Sequence, residues 1–128
     1  MKACIVSFSG RKNGNCGSLA KELCGLYGDE AKAYDFSSLK ITPCTGCGYE
    51  CFESREKCPY FKDSVLEIYD GITESELTYF IVPNYCDYPC SLFFAFNERS
   101  QCYFQKRPEL LEKYLSVPKK FIVVSNTG

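Results

Sequence analysis

The run from Lys2 to Phe8 constrains the fold of this chain more than any other segment. Its apolar members, Cys4, Ile5 and Val6 among them, are continuous rather than alternating, the pattern of a strand covered on both faces. It reads as a central parallel strand. Ser9-Gly10-Arg11-Lys12-Asn13-Gly14-Asn15 follows, a segment of turn formers, and beyond it Leu19, Ala20, Leu23, Cys24 and Tyr27 recur at helical spacing. Gly28 suits the stop of that helix, and residues 30–36 supply a second strand carrying Ala31, Ala33 and Phe36.

The same alternation continues downstream. Residues 37–61 bear cysteines and show no periodicity, and so long a loop in a compact domain is either functional or disordered. Val65, Leu66, Ile68, Tyr69 and Ile72 mark an amphipathic helix over 62–74, with Gly71 weakening its last turn. Residues 77–82 form a buried strand, and a Phe-rich helix spans 90–104 after the loop 83–89. Pro108 interrupts, Leu110, Leu111, Tyr114 and Leu115 make another helical piece, and Phe121–Val124 form a fourth strand. Strands alternating with helices imply a parallel α/β sheet with right-handed crossovers. In such sheets ligands sit beyond the carboxyl ends of the strands, here the loops near 9–16, 83–90 and 125–128.

Composition narrows the chemistry. A chain of 128 residues makes one domain and buries roughly two thirds of its unfolded surface. A formal charge of −1 lacks the basic field that phosphate backbones select, so nucleic acid is not an expected partner. The first apolar run is too short for a signal peptide or a membrane span, which makes cytoplasmic the expected location and a membrane no partner. Ten cysteines in that setting favour free thiols, metal ligands or redox chemistry over a disulfide framework. Histidine is absent altogether, which excludes Ser-His-Asp and Cys-His catalysis and His-ligated zinc.

The loop Ser9–Ser18 places hydroxyls, two Asn side chains, Arg11 and unpaired amides at a helix N-terminus, where dipole and donors favour an anion. A phosphate site and a solvated, capped turn are both compatible with this loop. It is neither a Walker loop nor a Gly-x-Gly-x-x-Gly fingerprint.

Ser7-Phe8-Ser9-Gly10-Arg11-Lys12-Asn13-Gly14-Asn15-Cys16 resembles the loop Ser-Gly-Ser-Pro-Arg-Lys-Asn-Gly-Asn-Thr of the NAD(P)H-dependent FMN reductase family, which includes the iron–sulfur flavoproteins of the flavodoxin-like superfamily. The resemblance implies that Ser9, Arg11, Asn13 and Asn15 surround the FMN phosphate. Phe8 stands where the family has Gly, Gly10 where it has Pro, and Cys16 where it has Thr, with Ser18 close by as a substitute hydroxyl. Pro83-x-Tyr85, followed by Cys90 and Ala95-Phe96-x-x-Arg99, resembles the family's Ser-Pro-Val-Tyr loop and the helix after it. That implies ring contacts from Pro83, Asn84, Tyr85 and Cys86, and Asn126-Thr127-Gly128 resembles the next ring-side loop.

The implied fold is a three-layer flavodoxin-like sheet of four parallel strands in order 2-1-3-4 with helices on both faces. Residues 1–128 read as a single domain that stops where the family continues through another loop, helix, strand and helix. The open fourth strand is then expected either to be the edge of a fragment or to be covered by a partner.

Cys44-x-x-Cys47-x-x-x-Cys51, with Cys58 beyond, is the second chemical signal, since four thiolates so spaced can converge on a 4Fe-4S cluster or a tetrahedral zinc. Unliganded thiols fit the spacing as well. Cys4 and Cys24 fall on apolar faces and read as small core residues, and Cys86 and Cys90 as packing residues near the implied ring. Asp35, Asp63, Glu67 and Asp87 are scattered and read as surface or capping groups. Tyr88, Phe93, Phe94, Phe96, Tyr103 and Phe104 need burial on more than one side, so core packing and self-association are both expected.

By this resemblance the chain is an FMN-binding oxidoreductase or electron-transfer flavoprotein, carrying electrons from NAD(P)H to a small-molecule acceptor or an iron–sulfur centre. No side-chain acid or base is required of it. The alternative is a non-enzymatic, thiol-rich metal-binding or scaffolding module whose flavin site has decayed.

Overall fold

A computed structural model of the chain describes residues 1–44 and 46–125. The elements run β1 (Ala3–Ser7), α1 (Asn15–Tyr27), β2 (Ala31–Asp35), α2 (Val65–Thr73), β3 (Leu77–Tyr85), β4 (Tyr88–Pro89), α3 (Ser91–Glu98), α4 (Ser100–Phe104), α5 (Pro108–Ser116) and β5 (Lys119–Ser125). Single 3-10 turns follow α1 (Gly28–Glu30) and punctuate the long segment after β2 (Glu50–Phe52 and Arg55–Lys57).

β1 pairs in parallel with β2 on one edge and with β3 on the other, so that Val6 lies opposite both Tyr34 and Phe80. β3 pairs in parallel with β5 along its far edge, Phe80 opposite Phe121 and Pro83 opposite Val124. The parallel strands therefore run β2-β1-β3-β5, the expected 2-1-3-4 order. β4 is an antiparallel addition: Asn84 and Tyr85 pair with Pro89 and Tyr88. Because Asn84 also pairs with Ser125 of β5, β4 must lie on the β1 edge of β3, just beyond the end of β1.

That hairpin corrects the sequence reading. β3 continues to Tyr85, so Pro83, Asn84 and Tyr85 are strand residues and not a loop. The turn holds Cys86 at φ 51° and Asp87 at φ 66°, both left-handed as a two-residue hairpin requires. Cys86-Asp87 lacks the usual Asn-Gly or Asp-Gly signal, so nothing local announces the turn. The expected single helix over 90–104 is likewise two, α3 and α4, with Arg99 between them.

Alternate residues of β1 feed two cores. Cys4 and Val6, with Phe8 beyond the strand, face α2, α3, α4 and α5 and pack with Val65, Ile68, Tyr69, Ile72, Phe80, Phe96 and Tyr103. Ile5 faces α1 and packs with Cys16, Ala20 and Ile81. Phe8 is fully buried, with ring centroids 5.3–5.5 Å from those of Phe36, Phe80, Phe93 and Phe96. Its departure from the family's glycine is thus a packing change. α1 stops at Gly28, whose φ of +61° is costly for other residues and whose N–H bonds the Cys24 carbonyl. On the other face Gly71 lets α2 approach β2: a Cβ there would lie 2.9 Å from the Tyr34 hydroxyl.

β5 closes the described sheet with an open edge. Phe121 is 57% and Val123 63% exposed, while Ile122 and Val124 turn toward the α1 side and are partly covered.

Candidate phosphate and cofactor site

β1 ends at Ser7, and the chain then turns over residues 8–14 into α1. Ser9 is buried, and its Oγ accepts the Arg11 amide at 3.2 Å, which shapes the turn. Asn13 adopts a left-handed φ of 58° that asparagine tolerates. Gly14 is the N-cap of α1 and offers no side chain, so the amides of Asn15, Cys16 and Gly17 open the helix without a side-chain cap. There is no acidic residue in the first turn of α1 to occupy the positive end of the dipole. Below the loop, the Ser7 hydroxyl is fully buried with no hydrogen-bond partner.

Ser9, Arg11, Gly14, Asn15 and Cys16 line a half-open cleft whose opposite wall is Pro83, Tyr85 and Val124. The cleft offers about 30 Å³ of space, enough for about one water. Arg11 and Asn15 are exposed and free to rearrange at its mouth, and Tyr85 is 45% exposed. The cleft lies at the carboxyl ends of β1, β3 and β5, where an open parallel sheet places its ligand.

The structure brings together part of the predicted set. Ser9, Arg11, Asn15, Cys16, Pro83 and Tyr85 share the cleft. Asn13 and Ser18 instead face a separate depression of about 270 Å³ with Lys12, Gly17, Lys21, Asp35, Ser37 and Ser38. Asn84 turns to the other face of β3, into a groove with Val82, Asp87, Pro89 and Val123, and its amide donates to Ser125 Oγ at 3.4 Å. Cys86 is exposed in the hairpin turn. Asn126, Thr127 and Gly128 lie outside the described residues. Cys16 is 4% exposed and belongs to the α1-side core, and burial, then Cys90 and Asp35, raise its thiol pKa. Cys90 is also buried and its thiol donates to the Phe8 carbonyl at 3.2 Å. Val124 escaped the sequence reading. Its place beside Pro83 is set by the β3–β5 register, which no local sequence pattern encodes.

The cysteine segment has a different organisation from four converging ligands. The Cys44 thiol donates to the Glu98 carbonyl at 3.4 Å. Cys51 and Cys58 pack against the main core, Cys47 is half-buried, and the Arg55 carbonyl that accepts the Cys58 amide at 3.2 Å also lies 3.9 Å from the sulfur of Cys102 in α4. Among the described residues no three Cys, Asp or Glu side chains gather in a group that could hold a metal ion. The thiols as placed therefore do not fit a metal or a cluster. The segment is fastened by Arg99, which is fully buried and donates to the Thr42 and Tyr60 carbonyls at 3.1 Å each and to both oxygens of Asp63. Asp63, expected as a surface or capping group, does cap α2 by accepting the Val65 amide at 3.2 Å and is also the half-buried counter-ion of Arg99. Asp35 does act as a turn cap, accepting the Ser37 amide at 2.9 Å.

Strand order, crossovers and the position of the cleft define a flavodoxin-like fold. Among solved structures the chain is similar to FerB, the flavoenzyme NAD(P)H:(acceptor) oxidoreductase of Paracoccus denitrificans, with a TM-score of 0.51 over 98% of this chain and 75% of that one at 15% identity. No protein-family model and no curated protein sequence matches the chain. No helix among the described residues is long and apolar enough to cross a membrane.

Proposed function

We propose that the chain is a flavin-dependent oxidoreductase that binds FMN with its phosphate at the loop between β1 and α1. The uncapped amides at the start of α1 carry this reading, because they converge with Arg11 on one cleft at the carboxyl end of the sheet. The likeness to a flavoenzyme of the same fold supports it. FMN fits the donor set: an anion meets the amides of Asn15, Cys16 and Gly17, the Asn15 side chain and the Arg11 guanidinium, and Ser7 supplies an unpartnered buried hydroxyl nearby.

Bound flavin supplies the hydride and single-electron chemistry. Arg11, exposed at the mouth of the cleft, would neutralise the phosphate. Pro83, Tyr85 and Val124 form the opposite wall of the cleft and would hold the flat ring on that side. NAD(P)H as the donor and a small-molecule acceptor complete the reading. It derives no step through an iron–sulfur centre. Self-association through the open β5 edge belongs to the same reading and is checked by sedimentation velocity.

The test is to reconstitute the purified chain with FMN, remove free flavin and add NADPH or NADH without oxygen. Bleaching of the bound flavin absorbance is expected, with its return when a quinone is added. A chain that retains no flavin, or whose flavin neither nucleotide bleaches, overturns the proposal.

A further inference from the structure

We propose that Cys58 and Cys102 are a redox-active thiol pair that closes to an intramolecular disulfide at the expense of a small oxidised disulfide. The inference does not depend on the flavin reading. Among the described residues the cysteine segment does not assemble a metal cage, yet one of its cysteines meets a cysteine from a distant helix at a shared backbone oxygen.

Arg55 sets that pairing. Its backbone carbonyl accepts the Cys58 amide at 3.2 Å and lies 3.9 Å from the Cys102 sulfur, so both cysteines are referred to the same oxygen. Its side chain holds the other direction, with Nη2 donating to the Tyr103 carbonyl at 3.2 Å and the guanidinium 4.5 Å from the Tyr103 ring centroid. The turn Arg55–Lys57 and α4 are thereby locked together on either side of the two sulfurs. Closure brings the two sulfurs to the roughly 2.05 Å of a disulfide bond.

Exposure separates the two roles. Cys58 is half-buried and open to a small reagent, whereas Cys102 is 2% exposed and reached only through Cys58. The Cys58 thiolate attacks one sulfur of the oxidant, whose S–S bond breaks; one thiolate leaves and takes a proton, and a mixed disulfide remains on Cys58. Cys102 then attacks the Cys58 sulfur, and its proton leaves with the expelled second thiolate. Two protein thiols are oxidised by two electrons and the small disulfide is reduced to two thiols. The new bond ties the segment between β2 and α2 to α4.

The experiment treats the full chain, fully reduced, with oxidised glutathione, blocks the remaining thiols with an alkylating reagent and maps the peptides by mass spectrometry. A peptide linked through Cys58 and Cys102 is expected, and Cys102→Ser is expected to stop at glutathione on Cys58. Pairing of Cys58 with Cys47 or Cys51, or lasting glutathione on Cys58 of the unsubstituted chain, overturns the proposal. So does protection of Cys58 and Cys102 from alkylation that a chelator relieves, because that marks them as metal ligands. If Cys102→Ser does not fold, the unsubstituted chain alone decides the matter.

Discussion

Arg99 and Asp63 form a bidentate ion pair in which Nη2 stands 3.2 Å from Oδ1 and Nη1 bonds Oδ2, with the Arg99 side chain wholly out of solvent. The same guanidinium bonds the carbonyls of Thr42 and Tyr60, so one side chain at the α3–α4 junction gathers both ends of the cysteine segment. A buried pair is costly to break from one side, because the partner is left as an uncompensated charge. Arg99→Met is expected to lower stability by about 3–5 kcal/mol. Urea unfolding measures it, and a loss under about 1 kcal/mol would show that the pair does not hold the segment.

Phe8 predicts a second loss. Restoring the residue that the resembling family carries, Phe8→Gly, removes a ring that touches four others and leaves a void on the helical face of β1. About 3–5 kcal/mol of destabilisation is expected from the cavity alone. A variant as stable as the parent would mean that Phe8 does not organise this core.

Gly71 tests the approach of α2 to β2. Gly71→Ala gains helix propensity yet places a methyl group 2.9 Å from the Tyr34 hydroxyl and 3.1 Å from its ring, so a net loss of about 1–3 kcal/mol is expected. Adding Tyr34→Phe removes the nearer clash and should recover part of the loss in a double-mutant cycle. Strict additivity of the two substitutions counts against the contact.

Stability should fall in alkali. Burial pushes the Cys4 thiol up to about 12 from 9.0, and Tyr103 and Tyr114 up to about 12 from 10.0. These groups are neutral when protonated, so the folded chain keeps protons that the unfolded chain releases. Their contribution is complete below about pH 9 and is lost as pH rises toward 12, at about 1.4 kcal/mol per pH unit for each group in that window. Urea midpoints measured under reductant at pH 7, 9 and 10.5 should fall between the last two. A midpoint that does not fall there would contradict the burial of these side chains.

What the sequence disclosed follows from how each feature is encoded. β1 and β3 were legible because strands covered on both faces leave unbroken apolar runs, and α1 because Leu19, Ala20 and Leu23 recur on one side of it. The β4 hairpin was not, since Cys86 and Asp87 take left-handed φ without the residues that advertise it. Asp63 was legible as a capping group, as its bond to the Val65 amide shows, but not as the partner of Arg99 36 positions away. The loop residues were legible as a group, but not their division: residues 9 to 18 turn through a helix start, which sends Arg11 and Asn15 to one cleft and Asn13 and Ser18 to another. Cys102 was invisible as a partner of Cys58, because nothing local in α4 points to a thiol brought in from the long loop.

The cradle at the start of α1 is tested most directly by calorimetric titration of the chain with FMN and, separately, with riboflavin, which shares the ring and lacks the phosphate. Each charge-assisted hydrogen bond contributes about 1.5–3 kcal/mol, so FMN should bind at least about tenfold more tightly, and Arg11→Ala should narrow the gap. Equal affinity for the two, or binding of neither, would contradict a phosphate site built from Arg11 and the first amides of α1.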